Sequence, residues 1–342
     1  MSTRPRLVSQ PTPNTDIGLP SWLKNAEVRF LRIRQQGVRL GDLHTDDHRE
    51  LGRHATAHRW HRPFPGYVCP SPDPEAQAYE RERTAALHLI DYVDRRRTDR
   101  ARSKHVALAG QSAAMLLGLP LVHGHPSYVV RQVGPASSSG RTANTRTFRS
   151  PAEPETVEVA GIVVSSPAQV VVDLARFATV EDALACANFV LHRELATREQ
   201  IETIAGQLQR VKGVGNIRRV LRLMDGRIES VGESLTLLRL DDFSLLPVKP
   251  QVWVQLRDRT YRLDFLDLAR KIAYEFDGRA KMFTPSMLKD GDLRAAISHE
   301  TDRDRHLRAI GIDPLHLVWS DVKTREGFEN WLADARARGV RI

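Results

Sequence analysis

Cysteine is nearly absent: Cys69 and Cys186 are the only two in 342 residues. Two cysteines so far apart suggest neither a disulfide framework nor a cysteine zinc site, and the expected setting is the cytoplasm. Long apolar runs are missing too. The longest, Val106 to Val122, is interrupted by Gln111 and Ser112 and holds Gly110, Gly118 and Pro120, so it reads as a buried helix rather than a membrane span. The opening MSTRPRLVSQPTPNTDIGLP has no apolar core of a secretory signal and is rich in Pro, Ser and Thr, so residues 1–20 read as a disordered tail. Several catalytic patterns are also missing. HRWH has no acid between its histidines at helical spacing, KGVGN is too short to cradle a phosphate, and no Gly-x-Ser-x-Gly elbow surrounds Ser234. Zinc proteolysis, P-loop chemistry and serine hydrolysis are thereby disfavoured.

What the chain has is length for two or three domains and a formal net charge of +9. An anionic partner follows, nucleic acid rather than membrane. Residues 1–160 hold 23 Lys/Arg against 16 Asp/Glu, so about +7 of the +9 sits at this end. There, a polar helix is expected at Asp46–Ala57, then a basic hairpin in HRWHRPFPGYVCP turning at Gly66, an order that suits a winged helix over about 21–103. Arg49, Arg53, Arg59 and Arg62 are then placed to meet phosphates, with His58 and His61 as further donors. A second helix is expected at Glu80–Tyr92, and the run RRRTDRARSK after it is too charged to bury.

Over 104–213 the pattern is a compact α+β module: an apolar helix in HVALAGQSAAMLLGLPL stopped by Gly118 and Pro120, β segments in SYVVRQV, TRTFRS and VEVAGIVVSS, then SPAQVVVDLARF capped by Ser166 and continuing helical through EDALACANFVLHREL. From 214 to 342 the expected order is a helix pair broken at Asp225-Gly226, three β segments at PVKPQVWVQL, TYRLDFLD and KIAYEFDG, a long helix from about Pro285 to Ile310, a strand in PLHLVWS and a closing helix. The fold class is therefore multidomain, α+β and α/β, with αβββαβ at its C-terminal end.

That order brings carboxylates together. Asp264 lies in the second β segment and Glu275 in the third, and the short link LARK makes a hairpin that sets them side by side. Alternation puts Glu275 and Asp277 on one face and Tyr274 and Phe276 toward the core, while Glu233, at the start of its helix, can join them across the sheet. Like charges so close need a cation or protons. Oxygen-only ligands favour Mg or Mn over zinc, and such an ion would polarise a phosphodiester and activate a bound water, with Lys281 orienting that water or stabilising the developing charge.

These residues carry a resemblance. Asp264, Glu275 and Asp277 on αβββαβ after a helical glutamate resemble the PD-(D/E)XK nuclease superfamily. More narrowly, SVGESLTLLRL, RLDFLD, AYEFDGRAK, DRDRHLRAIGI and LVWSDV are similar to the very-short-patch-repair (Vsr) endonuclease-like domain, over about 215–325. The resemblance implies a metal site at Asp264 and Glu275, assisted by Glu233 and Asp277. The superfamily's usual lysine position holds Asp277, so Lys281 takes its role. Likewise, HRWHRPFPGYV, GQSAAMLLGLPL and VVSSPAQVVVDLARF resemble the winged-helix and antitoxin portions of AbiEi-type antitoxins of type IV toxin/antitoxin systems. This implies promoter binding as a transcriptional regulator and a nucleotidyltransferase toxin as partner.

Overall fold

In a computed structural model the described residues are 106–124, 128–141, 145–159, 162–256, 259–278 and 301–342, together with two short strands at 38–39 and 67–68. The expected tail, the helices at 46–57 and 80–92, the basic run at 95–104, the turn at Gly66, and the side chains of Arg49, Arg53, Arg59, Arg62 and Lys281 lie outside them. Strands β1 (Val38–Arg39) and β2 (Tyr67–Val68) pair antiparallel.

The chain is a mixed α+β protein. Its larger sheet has six strands: β3 (Val106–Leu108), β4 (Val129–Val133), β5 (Gly140–Arg141), β6 (Thr145–Arg149), β7 (Thr156–Val159) and β8 (Ile162–Ser165), in the order β5-β6-β4-β3-β8-β7. β3 corrects the reading of 105–121 as one helix. Its three residues are interior strand, antiparallel to β4 and parallel to β8, and helix α1 (Gly110–Leu117) begins only at Gly110, whose φ of 49° turns the chain. A short strand buried on both faces has no alternation to distinguish it from buried helix. At the other end Gly118 stops α1 as expected, at φ 73°.

Helix α2 (Pro167–Phe177) starts as its sequence dictates: the Ser166 hydroxyl accepts from the Gln169 N–H, and Pro167 spends no donor at the first helical position. Asp173 pins it to the sheet, accepting from Ser165 Oγ and Gln169 Nε2, each at 2.9 Å; burial pushes this carboxyl up to about 6. Helix α3 (Val180–His192) does not continue α2. Thr179 breaks the run and caps the new helix by accepting from the Asp182 N–H. Helices α4 (Arg198–Gly206), α5 (Val214–Leu223) and α6 (Val231–Asp242) follow.

The second sheet holds β9 (Lys249–Leu256), β10 (Arg259–Asp267), β11 (Ile272–Phe276) and β12 (Asp313–Leu317), ordered β12-β11-β10-β9. β9, β10 and β11 form an antiparallel meander, and β12 returns parallel to β11 after helix α7, described over 301–309. Helices α8 (Trp319–Lys323) and α9 (Arg325–Ala337) close the chain. The hydrophobic core runs unbroken from Leu108 past residue 213 to Leu332 and takes in both sheets. Asn188 on α3 donates to Ser234 Oγ on α6 at 3.0 Å inside it. A small satellite cluster of Leu263, Leu266, Ala273 and Leu307 seats α7 on the second sheet. Among the described residues no helix is long and apolar enough to cross a membrane.

Candidate carboxylate site

The β10–β11 hairpin pairs Phe265 with Tyr274 and Leu266 with Ala273, and the same register carried one step on sets Asp264 opposite Glu275. Tyr274 and Phe265 enter the main core, while Ala273 belongs to the cluster under α7. Glu275 shares Ala273's face. That face is not open to solvent: Glu275 is only 6% exposed. The two chains reach across to each other, since Asp264 Oδ2 accepts the Phe276 N–H at 2.8 Å and the backbone of Asp264 hydrogen-bonds to the Glu275 carboxylate. Strand alternation fails beside Asp264. Leu263 and Leu266, three residues apart, share one cluster, while Phe265 between them enters the other core. Opposite, Gln251 on β9 has φ 54°, and the β9–β10 pairing passes from Leu263–Val252 to Phe265–Pro250 without a pair at Asp264. The carboxylate thus sits at an irregularity of the ladder, a common way to re-aim a side chain.

Glu233 approaches from α6. Ser230 caps this helix by accepting the Glu233 N–H, and the Glu233 carboxylate Oε2 accepts the Glu229 N–H at 3.1 Å and Gln251 Nε2 at 2.8 Å. Its Ser-x-x-Glu spacing is that of a helix-capping device, so Glu233 has a structural task in addition to its place beside the hairpin. Asp277 lies one residue beyond β11, half-buried, its N–H donating to the Leu317 carbonyl.

Three residues absent from the sequence reading complete the cluster. Arg303 on α7 donates through Nη2 to Glu275 Oε1 at 2.7 Å and to the Arg262 carbonyl at 2.8 Å. Arg262 forks onto Glu229 at 2.7 and 2.9 Å and lies against the Trp253 ring, itself 66% exposed. Gln251 ties β9 to Glu233. DRDRHLR, with charges at helical spacing, does pair Asp304 with Arg308 along the helix, and nothing in it singles out Arg303 as the residue that turns inward.

Burial raises both central carboxyls. Asp264 is pushed up to about 6, chiefly by desolvation, with the Phe276 N–H pulling it down and the Glu233 charge adding to the rise. Glu275 is pushed up to about 7 by desolvation, opposed by Arg303 and reinforced by Asp264. Because both folded values exceed the unfolded ones, near 4, the folded state binds these protons more tightly. The stability they lend is complete below about pH 4 and is lost as the pH rises through 6 and 7. Asp264→Asn keeps an oxygen for the Phe276 N–H and removes the titration. It is expected to be more stable than wild type at pH 8 by on the order of 2 kcal/mol, the gap closing by pH 4. Urea unfolding at the two pH values measures this, and parallel pH dependence in both proteins would refute a raised Asp264.

Oxygen donors of this kind suit a hard divalent cation. The fit is to two carboxylates, Asp264 and Glu275, and one oxygen of Glu275 is already bound by Arg303. Among the described residues no three His, Cys, Asp or Glu side chains are grouped to hold a metal ion as they stand.

No family model matches the chain, and no curated protein matches it. Among solved structures it is similar to the RV2827C protein from Mycobacterium tuberculosis, at 17% identity over 65% of this chain and 82% of that one, with a TM-score of 0.32.

Proposed function

We propose that this is a DNA-associated protein of the cytoplasm whose C-terminal unit, α6-β9-β10-β11-α7-β12, is a PD-(D/E)XK restriction-endonuclease-like domain of the Vsr-like kind, hydrolysing phosphodiesters at Asp264 and Glu275 with Mg or Mn. An antitoxin-like α+β module at 104–213 and a winged-helix-like region at 21–103 precede it, the latter meeting DNA through Arg49, Arg53, Arg59 and Arg62. One observation carries the reading. A half-buried Asp264 and a buried Glu275 sit opposite each other on adjacent strands, both pushed above the usual carboxylate range by desolvation, an arrangement that costs the fold stability and is characteristic of sites rather than scaffolds.

When bound, a divalent cation would polarise the phosphodiester and lower the pKa of a water. The chain's own residues position the rest. The Phe276 N–H fixes Asp264, and Gln251 holds the Glu233 carboxylate in place. The exposed Trp253 beside Arg262 offers an aromatic face backed by a cation at the mouth of the cluster, suited to a base and its phosphate. Lys281 is the candidate for orienting the attacking water or stabilising the developing charge, and Glu233 and Asp277 assist the metal site.

Purified protein incubated with plasmid or short duplexes and Mg²⁺ or Mn²⁺ is expected to cut them, and Asp264→Ala to abolish cutting. Equal cutting by the two proteins would mark a contaminant and overturn the reading. A second reading has its own support: the Arg303–Glu275 ion pair already neutralises one carboxylate. On it the chain is a non-catalytic AbiEi-like antitoxin and transcriptional regulator, partnered by a nucleotidyltransferase toxin, and the nuclease-like fold serves only for binding. The same experiment separates the two, since this reading requires salt-sensitive retention of duplex by wild type and Asp264→Ala alike, without cuts.

A further inference from the structure

We propose that Arg303 is a built-in counter-ion that holds the place of a divalent cation at Glu275, so that metal binding is a competition between the ion and this guanidinium. The inference rests on the metal-site reading above and deepens it. Three observations carry it. The first is the position of the group: a single nitrogen of Arg303 bridges Glu275 Oε1 at 2.7 Å and the Arg262 carbonyl at 2.8 Å, two oxygens of the kind a hard cation would itself collect. The second is burial: the Glu275 side chain is 8% exposed and that of Arg303 24%, so water screens the pair poorly. The third is reach. The Arg303 charge favours the ionised form of Asp264 as well as that of Glu275, so the guanidinium acts on both carboxylates expected to bind metal.

Among the described residues, the other groups facing the pair offer Glu275 no second cation of this kind. Arg262 is forked onto Glu229, and Gln251 is engaged by Glu233. Meanwhile α7 has anchors that do not involve Arg303. Leu307 is wholly buried, Tyr261 Oη and His306 Nδ1 are 2.8 Å apart, and Asp304 contacts His316 on β12 at 3.1 Å. The helix can therefore stay seated when the guanidinium leaves Glu275. A residue needed only to seat α7 would not have to spend its charge on the buried carboxylate.

Mn²⁺ titration by calorimetry, with no nucleic acid present, tests this on the full chain. Arg303→Gln retains a donor for the Arg262 carbonyl and removes the charge; Arg303→Met removes both. Losing a charge-assisted hydrogen bond that competes with the ion is expected to tighten Mn²⁺ binding roughly tenfold in both variants. Glu275→Gln in the same background is expected to reverse the gain. A variant that merely unfolds loses affinity, so a gain reads only the competition, and thermal unfolding of Arg303→Gln reports whether the fold is kept. Equal or weaker binding by a folded Arg303→Gln overturns the proposal and leaves the metal reading standing. No Mn²⁺ binding by either wild type or Arg303→Gln overturns both.

Discussion

Arg239→Met is expected to lower the unfolding free energy by about 3–5 kcal/mol, the cost of removing one partner from a buried ion pair. The Arg239 side chain is 5% exposed. Its guanidinium donates to Asp242 at 2.7 Å, to Glu181 on α3 at 2.9 Å, and to the Val322 and Lys323 carbonyls at 3.0 and 3.3 Å. One side chain thus satisfies the open C-terminal end of α8 and two carboxylates on different helices. Methionine fills similar volume, so the loss reports orphaned acceptors more than a cavity. The corresponding fall in melting temperature is roughly 10 °C. Denaturant unfolding and calorimetry check it. A loss under about 1 kcal/mol, the range of exposed pairs, would mean that water reaches the cluster.

Gly232→Ala is expected to cost about 3 kcal/mol and to disable the carboxylate site without touching a carboxylate. A Cβ on Gly232 would fall within the ring of Phe276, which packs edge-on against Trp319 with centroids 5.2 Å apart. The half-buried ring is braced by Trp319 on one side, so what the ring itself cannot absorb is passed to α6 or the end of β11. Phe276 also donates the backbone N–H that holds Asp264, and Glu233 is the next residue along α6. Displacement at this one contact therefore moves both elements that carry the acids. Pairing Gly232→Ala with Phe276→Leu should restore much of the stability by removing the ring edge. If the single substitution is neutral in urea unfolding, the contact is looser than this packing requires.

Much of the element order could be read from the residues because the signals were local. Ser166 and Pro167 announce α2, Gly118 ends α1, and the short link between LDFLD and KIAYEF brings Asp264 and Glu275 onto neighbouring strands. Signals failed where a residue's role depends on something distant. β3 is strand only because β4 and β8 flank it. Alternation separated Glu275 from Tyr274 and Phe276 but left unsaid that α7, whose approach no local pattern encodes, covers its face. The irregularity at Asp264 depends on the left-handed backbone of Gln251 across the ladder. Arg303 is one cation among several in DRDRHLR, and which of them turns inward is decided by the helix's rotation about Leu307. Composition and periodicity carry no record of that rotation.

The unbroken core across residue 213 bears on how this protein could be dissected. α6 presents Leu235 and Leu238, both buried, to a cluster that also contains Ala183, Leu184, Ala187 and Val190 of α3. A fragment beginning at 214 would carry the carboxylates but bare that apolar flank, and would leave Arg239 without Glu181. The acidic site is therefore not a detachable cassette. It shares its foundations with the strands and helices that precede it, and a substitution that loosens α3 is expected to loosen α6, the helix that carries Glu233.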